Sequence, residues 1–197
     1  RGGNSPNYLK INYMACLVTK GRAINCNDVQ GGISSIFITN GVSPYGAITI
    51  ASDAISNMAG TFTAFKYDLN GTGNSFTTTA TTSKDTGTTF YSTVLTVTLP
   101  KLSKEDTAEL KLMAFGRNSI VVQDRNLNAF LLGKENGVTV TSITHSSGDS
   151  RGDMSGSVIE FVSEEASAPD FINGATAVSP FAGMSSASPT ITVGTNS

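Results

Sequence analysis

A long strand that meets a proline and then becomes a well-marked helix is the feature that most constrains the fold of this chain. Residues Thr88–Leu99 are rich in β-branched and aromatic side chains, which suit a pleated surface, and Ser75–Ser83 has the same chemistry. Residues 84–87 (KDTG) between them form a short loop whose glycine can take a positive φ. The sequence therefore predicts a hairpin whose second strand spans about 40 Å, well beyond the usual strand length.

The two faces of this hairpin are predicted to differ in chemistry. On the second strand Leu95 and Val97 point to the same side as Tyr91, whereas Phe90 points to the other side among serines and threonines. An overhanging hairpin with an uncharged outer face favours pairing with another chain. The residues expected at a self-assembly surface are Phe76, Thr78, Thr88, Phe90, Tyr91, Leu95 and Val97.

The segment after the hairpin predicts one amphipathic helix over about residues 102–115. Pro100 stops the strand because proline cannot donate to a ladder, and Ser103 is a suitable N-cap with Asp106 three residues on. Gly116 is expected to end the helix. The stripe expected to pack on a sheet consists of Ala108, Leu112 and Phe115, widened by Leu110 and Met113.

The rest of the chain predicts a mainly β fold, a β-sandwich or barrel that carries the long hairpin and the one flanking helix. Residues 1–16 are expected to form an N-terminal arm, residues 17–165 the β domain, and residues 166–197 a low-complexity extension that is disordered or ordered only against another subunit. Further predicted strands are Leu17–Ile24, Ile33–Thr39, Ala47–Ala51, Thr61–Leu69, Ile120–Asp124, Ala129–Leu132, Val138–Thr144, Ser155–Val162 and Thr190–Val193.

The composition indicates a surface that neighbours cover. Only 14% of the 197 residues are charged, while serine and threonine make up about a quarter. The net charge of −2 leaves no basic patch for gripping nucleic acid, and no apolar run is long enough to cross a bilayer. Cys16 and Cys26 lie ten residues apart and could pair only if the backbone turns back, and the interpretation favoured over a disulfide is two free thiols in a reducing compartment.

No pattern of catalytic or cofactor-binding residues stands out. His145 is the single histidine and lies in a serine-rich stretch without a nucleophile-elbow pattern, so a surface role is expected and the protein is not predicted to be an enzyme. Asp149 and Asp153 do not match the spacing of a calcium loop. Arg151-Gly152-Asp153 matches an adhesion tripeptide, but its flanks are explained by a turn between two strands.

The order of features from about Thr61 to Ile172 resembles that of tail tube proteins of tailed bacteriophages. The hairpin and capped helix are followed by IVVQD…NAFLLGKENGVTV and SSGDSRGDMSGSVIEFVSEEASAP. The earlier segment MACLVTKGRAINC resembles the start of structural proteins from phages of Bacteroidetes-type hosts.

This resemblance implies a non-enzymatic virion protein without cofactors. Its copies are expected to join edge to edge into hexameric rings that stack into a tail tube around a channel for DNA, with the sheath, tape-measure and baseplate proteins as further partners. The arm and the C-terminal extension would then clasp neighbouring rings. Channels in this family tend to be acidic, and the carboxylates considered for that role are Asp124, Glu135 and Glu160.

Two other functions fit parts of the pattern. A capsid decoration or other head-associated virion protein would also be β-rich and threonine-rich, and it predicts trimers or binding to a shell. A carbohydrate-binding or adhesive β-sandwich would use exposed aromatic residues such as Tyr45, Phe90 or Tyr91, although the chain lacks tryptophan.

Overall fold

The computed structural model describes residues 29–69, 71–101 and 103–194, and this part of the chain forms twelve strands and one α-helix. The predicted arm, the predicted strand Leu17–Ile24 and both cysteines lie outside the described residues. The elements are β1 (Ile33–Thr39), β2 (Ile48–Ala51), β3 (Ala54–Met58), β4 (Gly60–Asp68), β5 (Ser75–Ser83), β6 (Thr88–Pro100), α1 (Lys104–Phe115), β7 (Ser119–Asp124), β8 (Ala129–Leu132), β9 (Thr139–Ser146), β10 (Gly156–Glu165), β11 (Asp170–Ile172) and β12 (Ala187–Val193).

The strands form two sheets, which confirms the predicted mainly β fold with one helix. The large sheet has the order β12-β4-β1-β7-β8-β11-β3-β2, and the small sheet has the order β5-β6-β10-β9. Neither sheet closes into a barrel. β3 and β4 lie near opposite ends of the large sheet but are joined by the single residue Ala59, so the sheet curls to bring them together.

Two hydrophobic cores hold these layers together. The first lies between the sheets and combines Ile36 and Val122 of the large sheet with Leu95 and Phe161 of the small sheet. The second fills the other face of the large sheet, where Phe181 packs edge-on against aromatic rings from β1 and β4. The large sheet is therefore buried on both faces, whereas the small sheet is buried on one face only.

The hairpin forms with the predicted boundaries. Its register runs from Ser75 opposite Thr96 to Ser83 opposite Thr88, and Gly87 has a φ of +65° in the connecting loop. The second strand includes Pro100 as its last residue, where a missing donor removes little of the ladder.

The helix has the predicted boundaries but buries a different face. Ser103 caps it by accepting a hydrogen bond from the Asp106 backbone N–H at 2.9 Å, as predicted. Leu110 is buried against the first core, whereas Leu112 is 67% exposed and Phe115 is 91% exposed. The predicted stripe of Ala108, Leu112 and Phe115 is therefore wrong, because apolar side chains lie on two faces of the helix and periodicity alone does not select the buried one.

The C-terminal segment is also different from the prediction. Residues 166–197 were expected to be disordered or ordered only against another subunit, but two strands of this segment pair within the same chain. β11 lies between β8 and β3, and β12 pairs in parallel with β4 from Ala187 opposite Gly60 to Val193 opposite Lys66. The large sheet therefore extends past the predicted domain end at residue 165.

Candidate assembly surface

The outer edge of β5 has no strand partner among the described residues. All nine residues, from Ser75 to Ser83, pair with β6 on one side only, and the ladder contains no bulge. None of the nine is charged and none is proline. Lysine, proline and bulges are the usual protection of an edge strand, so β5 has the properties of an edge that another strand completes.

The other three sheet edges are better protected. β2 is only four residues long and is followed by Ser52 and Asp53, both with positive φ. β12 contains Pro189, which removes one donor. β9 has a bulge at Thr141, whose hydroxyl donates to the Glu160 side chain at 3.0 Å. β5 is thus the least protected edge in the described part of the chain.

The tip of the hairpin extends beyond the rest of the small sheet. β10 accompanies β6 only as far as Glu165 opposite Tyr91, so the residue pairs beyond this point have no third strand beside them. Thr82 and Thr89 are exposed there, and their hydroxyls are joined by a hydrogen bond of 3.2 Å. Both faces of the tip are therefore available for contact with another molecule.

The seven predicted assembly residues divide into three groups. Leu95 and Val97 are fully buried in the core between the sheets, so they stiffen the hairpin and have no surface to offer a second copy. Phe76, Thr78 and Tyr91 are partly buried on the same inner face. Phe90, 40% exposed, and the exposed Thr88 lie nearest the tip.

The inner face of the hairpin is fastened to the large sheet by aromatic contacts. The ring of Phe76 lies 5.1 Å from the ring of Phe130 on β8, and Phe130 lies 4.5 Å from Phe171 on β11. Farther along, the hydroxyls of Thr78 and Thr93 form a hydrogen bond of 2.9 Å. These contacts hold the base of the hairpin and leave its distal part projecting.

The outer face of the small sheet is neutral to acidic. The cross-strand registers place Glu160 and Glu164 of β10 on this face, opposite Thr96 and Ser92 of β6. No lysine or arginine lies on the strands of the small sheet, and the residues that share the outer face are mainly serine and threonine. Of the three carboxylates considered for an acidic channel, Glu160 is on this face, whereas Asp124 is engaged in the β7–β8 turn.

The third of these carboxylates, Glu135, lies in the loop that a buried carboxylate clamps at the end of β10. Glu165, 7% exposed, accepts hydrogen bonds from the backbone N–H groups of Glu135 at 2.7 Å and Asn136 at 3.3 Å. In the same loop Lys134 pairs with Asp170 at 2.5 Å. Burial lowers the pKa of Lys134, but the bond to Asp170 and the nearby carboxylates outweigh it, so the pKa is raised overall. This clamp keeps the strand that supports the hairpin in place.

The remaining sequence motifs have structural explanations. His145 is exposed on β9, where its Nδ1 lies 2.8 Å from the Ser157 hydroxyl. Asp153 of the adhesion-like tripeptide accepts backbone hydrogen bonds from Asp149 and Ser150, which lower its pKa. Tyr45, considered for sugar stacking, is 5% exposed and therefore unsuited to that role.

Neither a metal centre nor a membrane-spanning helix is found among the described residues. The described residues contain no group of three or more histidine, cysteine or acidic side chains that could hold a metal ion. They also contain no helix of the length and hydrophobicity needed to cross a membrane. Comparisons with protein-family models, with curated proteins and with solved structures found no match.

Proposed function

We propose that this protein is the tail tube subunit of a bacteriophage, a non-enzymatic virion protein whose copies join into stacked hexameric rings around a channel for DNA. The observation that carries the proposal is the unprotected edge of β5, which is one of the two strands of the projecting hairpin. A second copy that places a strand against β5 satisfies its free backbone groups and removes the aggregation hazard of the edge.

The partner edge in this arrangement is β9 of the next copy. β5 and β9 are the two ends of the small sheet, so pairing between them makes one continuous sheet from successive copies. The outer face of that sheet then lines the channel. Its hydroxyl groups, together with Glu160 and Glu164, offer no cation that would hold the phosphates of passing DNA.

The proposal is tested by electron microscopy and sedimentation of the purified protein over a range of concentrations. We expect rings or tubes with a central hole. Thr79→Lys places a charge on the exposed β5 edge and is expected to abolish them, while Thr49→Lys, on the exposed edge strand β2, is the matched control that leaves assembly intact. Both substitutions are at exposed positions and should change stability by less than about 0.5 kcal/mol.

Three outcomes would contradict the proposal. The first is a protein that stays monomeric at high concentration. The second is a Thr79→Lys variant that assembles as well as the unchanged chain. The third is a closed trimer without a channel, which would favour a head-associated virion protein instead.

A further inference from the structure

A groove lies between α1 and the β1–β4 pair, away from the proposed assembly edge. Its volume is about 160 Å³, enough for a branched aliphatic side chain. Phe65 and Tyr67 of β4 form one wall, and Leu112 and Met113 of α1 form the other. Leu112, which the helix leaves exposed, therefore lines this groove instead of packing into the core.

The groove carries negative charge at its helical side. Glu109 belongs to its lining, and none of the lining residues is basic. Burial, followed by the charges of Glu109 and Asp106, raises the pKa of Tyr67 to about 12. An occupant that combines apolar side chains with positive charge therefore fits the groove best.

The chain itself contains a segment of that chemistry outside the described residues. Four of the 13 basic residues but only one of the 15 acidic residues precede Val29, so the first 28 residues carry a formal charge of +3 and the remainder carries −5. Within them Leu17–Ile24 (LVTKGRAI) combines three aliphatic residues and an alanine with Lys20 and Arg22, and it contains no acidic residue.

We propose that Leu17–Ile24 of one copy occupies the groove between α1 and β4 of a second copy. The described chain begins at the end of β1 where Gln30 and Asn126 exchange hydrogen bonds, whereas the groove lies at the other end of β1, beside Ile38 and Asn40. The length of β1 alone separates these ends by about 20 Å. Ile24 is only five residues from Val29, at most about 18 Å at full extension, so the whole segment cannot lie in the groove of its own chain.

Head-to-tail stacking removes this difficulty. It brings the end of the molecule from which the segment leaves next to the groove-bearing end of the neighbouring copy. The inference rests on the proposed function, because it explains how one ring of copies holds the next ring. The β5 edge, by contrast, makes the contacts between neighbouring copies within a ring.

Disulfide trapping in the full chain tests the docking directly. Cys16 directly precedes the segment, so Cys26→Ser leaves it as the one native thiol, and Leu112→Cys adds a second thiol at the groove. Under mild oxidation we expect covalent dimers and larger species on a non-reducing gel. Lys104→Cys, at the first residue of the same helix, is the matched control. Its yield of covalent dimer should be at least about fivefold lower than that of Leu112→Cys, a factor that corresponds to about 1 kcal/mol of binding free energy.

Charge reversal provides the second arm of the experiment. Lys20→Glu combined with Arg22→Glu should lower the yield of trapped dimer about fivefold or more, and Glu109→Lys in the same chain should restore part of it. Thermal unfolding of each variant, followed by circular dichroism, checks whether the substitutions leave the fold intact.

The outcomes separate this inference from the proposed function. Rings or tubes that form without a bond between Cys16 and Leu112→Cys would overturn the docking and leave the tail tube proposal standing. A bond formed within one chain, seen as a monomer with altered mobility, would overturn the second copy as the occupant. Trapped dimers from a protein that never forms rings would support the docking and contradict the tail tube.

Discussion

Phe76→Ala is expected to loosen the hairpin from the large sheet while leaving the β5 edge unchanged. The ring of Phe76 lies 5.1 Å from that of Phe130, with an angle of 55° between their planes. Truncation of a fully buried phenylalanine costs about 3–5 kcal/mol, and Phe76 is only partly buried, so we expect a loss of about 2 kcal/mol. About 1 kcal/mol of this should come from the contact with Phe130.

Urea unfolding of both single variants and of the double variant Phe76→Ala/Phe130→Ala measures that contact. The coupling energy should be about 0.5–1.5 kcal/mol, with unchanged m values. Phe90→Ala removes a partly exposed ring from the same hairpin and should cost less than about 1 kcal/mol. If the stability losses of Phe76→Ala and Phe130→Ala add within about 0.3 kcal/mol, the interaction between the two rings is refuted. A Phe76→Ala variant as stable as the unchanged chain would refute the burial argument.

Three further changes test the cap, the clamp and the groove. Ser103→Ala should lower stability by about 1 kcal/mol in urea unfolding, whereas Ser103→Asp should not. Glu165→Ala leaves two backbone N–H groups without their acceptor and should lower the free energy of unfolding by about 2–3 kcal/mol. Glu165→Gln should lower it by less, and equal losses for the two variants would contradict the role of the carboxylate charge. The pKa of Tyr67 is raised from 10.0 to about 12. The stabilisation that the neutral hydroxyl adds to the free energy of unfolding is therefore complete below pH 10 and is lost as the pH rises to 12. After a discount for its partial exposure, Tyr67→Phe should reduce the fall in stability over this interval by about 1 kcal/mol, and an unchanged fall would contradict the shift.

The hairpin and the start of the helix could be predicted because their determinants are local. Threonine-rich strand chemistry, the glycine of the KDTG loop, Pro100 and the Ser103 cap all act within a few residues of the position they define. The buried face of the helix depends instead on which side chain fits the sheet below. Leu110 and Leu112 are equally apolar, and only the tertiary contact with the first core distinguishes them.

A strand at Thr190–Val193 is predicted and lies within β12, but β11 and the pairing of both C-terminal strands could not be predicted because their partners are far away in the sequence. β11 has three residues, too few for a periodicity, and it is held between β8 and β3. β12 lies in an Ala/Ser/Pro-rich segment whose composition is typical of disorder, yet it pairs over seven positions with β4. The Glu165 clamp was missed for the same reason, because its two donors are about 30 residues away.

The nature of the free edges limits the assemblies that this protein can form. β5 is nine residues long and regular, whereas β9 has eight residues and a bulge at Thr141, so the two edges are not equivalent. Pairing of β5 with β9 is therefore heterologous, and it leaves one β5 and one β9 free in every open oligomer. Only a closed ring satisfies both, and the twist between successive strands decides whether the ring closes or a helical filament grows. A discrete ring size is thus expected to be favoured over a distribution of open oligomers, because every open oligomer leaves the unprotected β5 edge of one terminal copy, and the β9 edge of the other, in water.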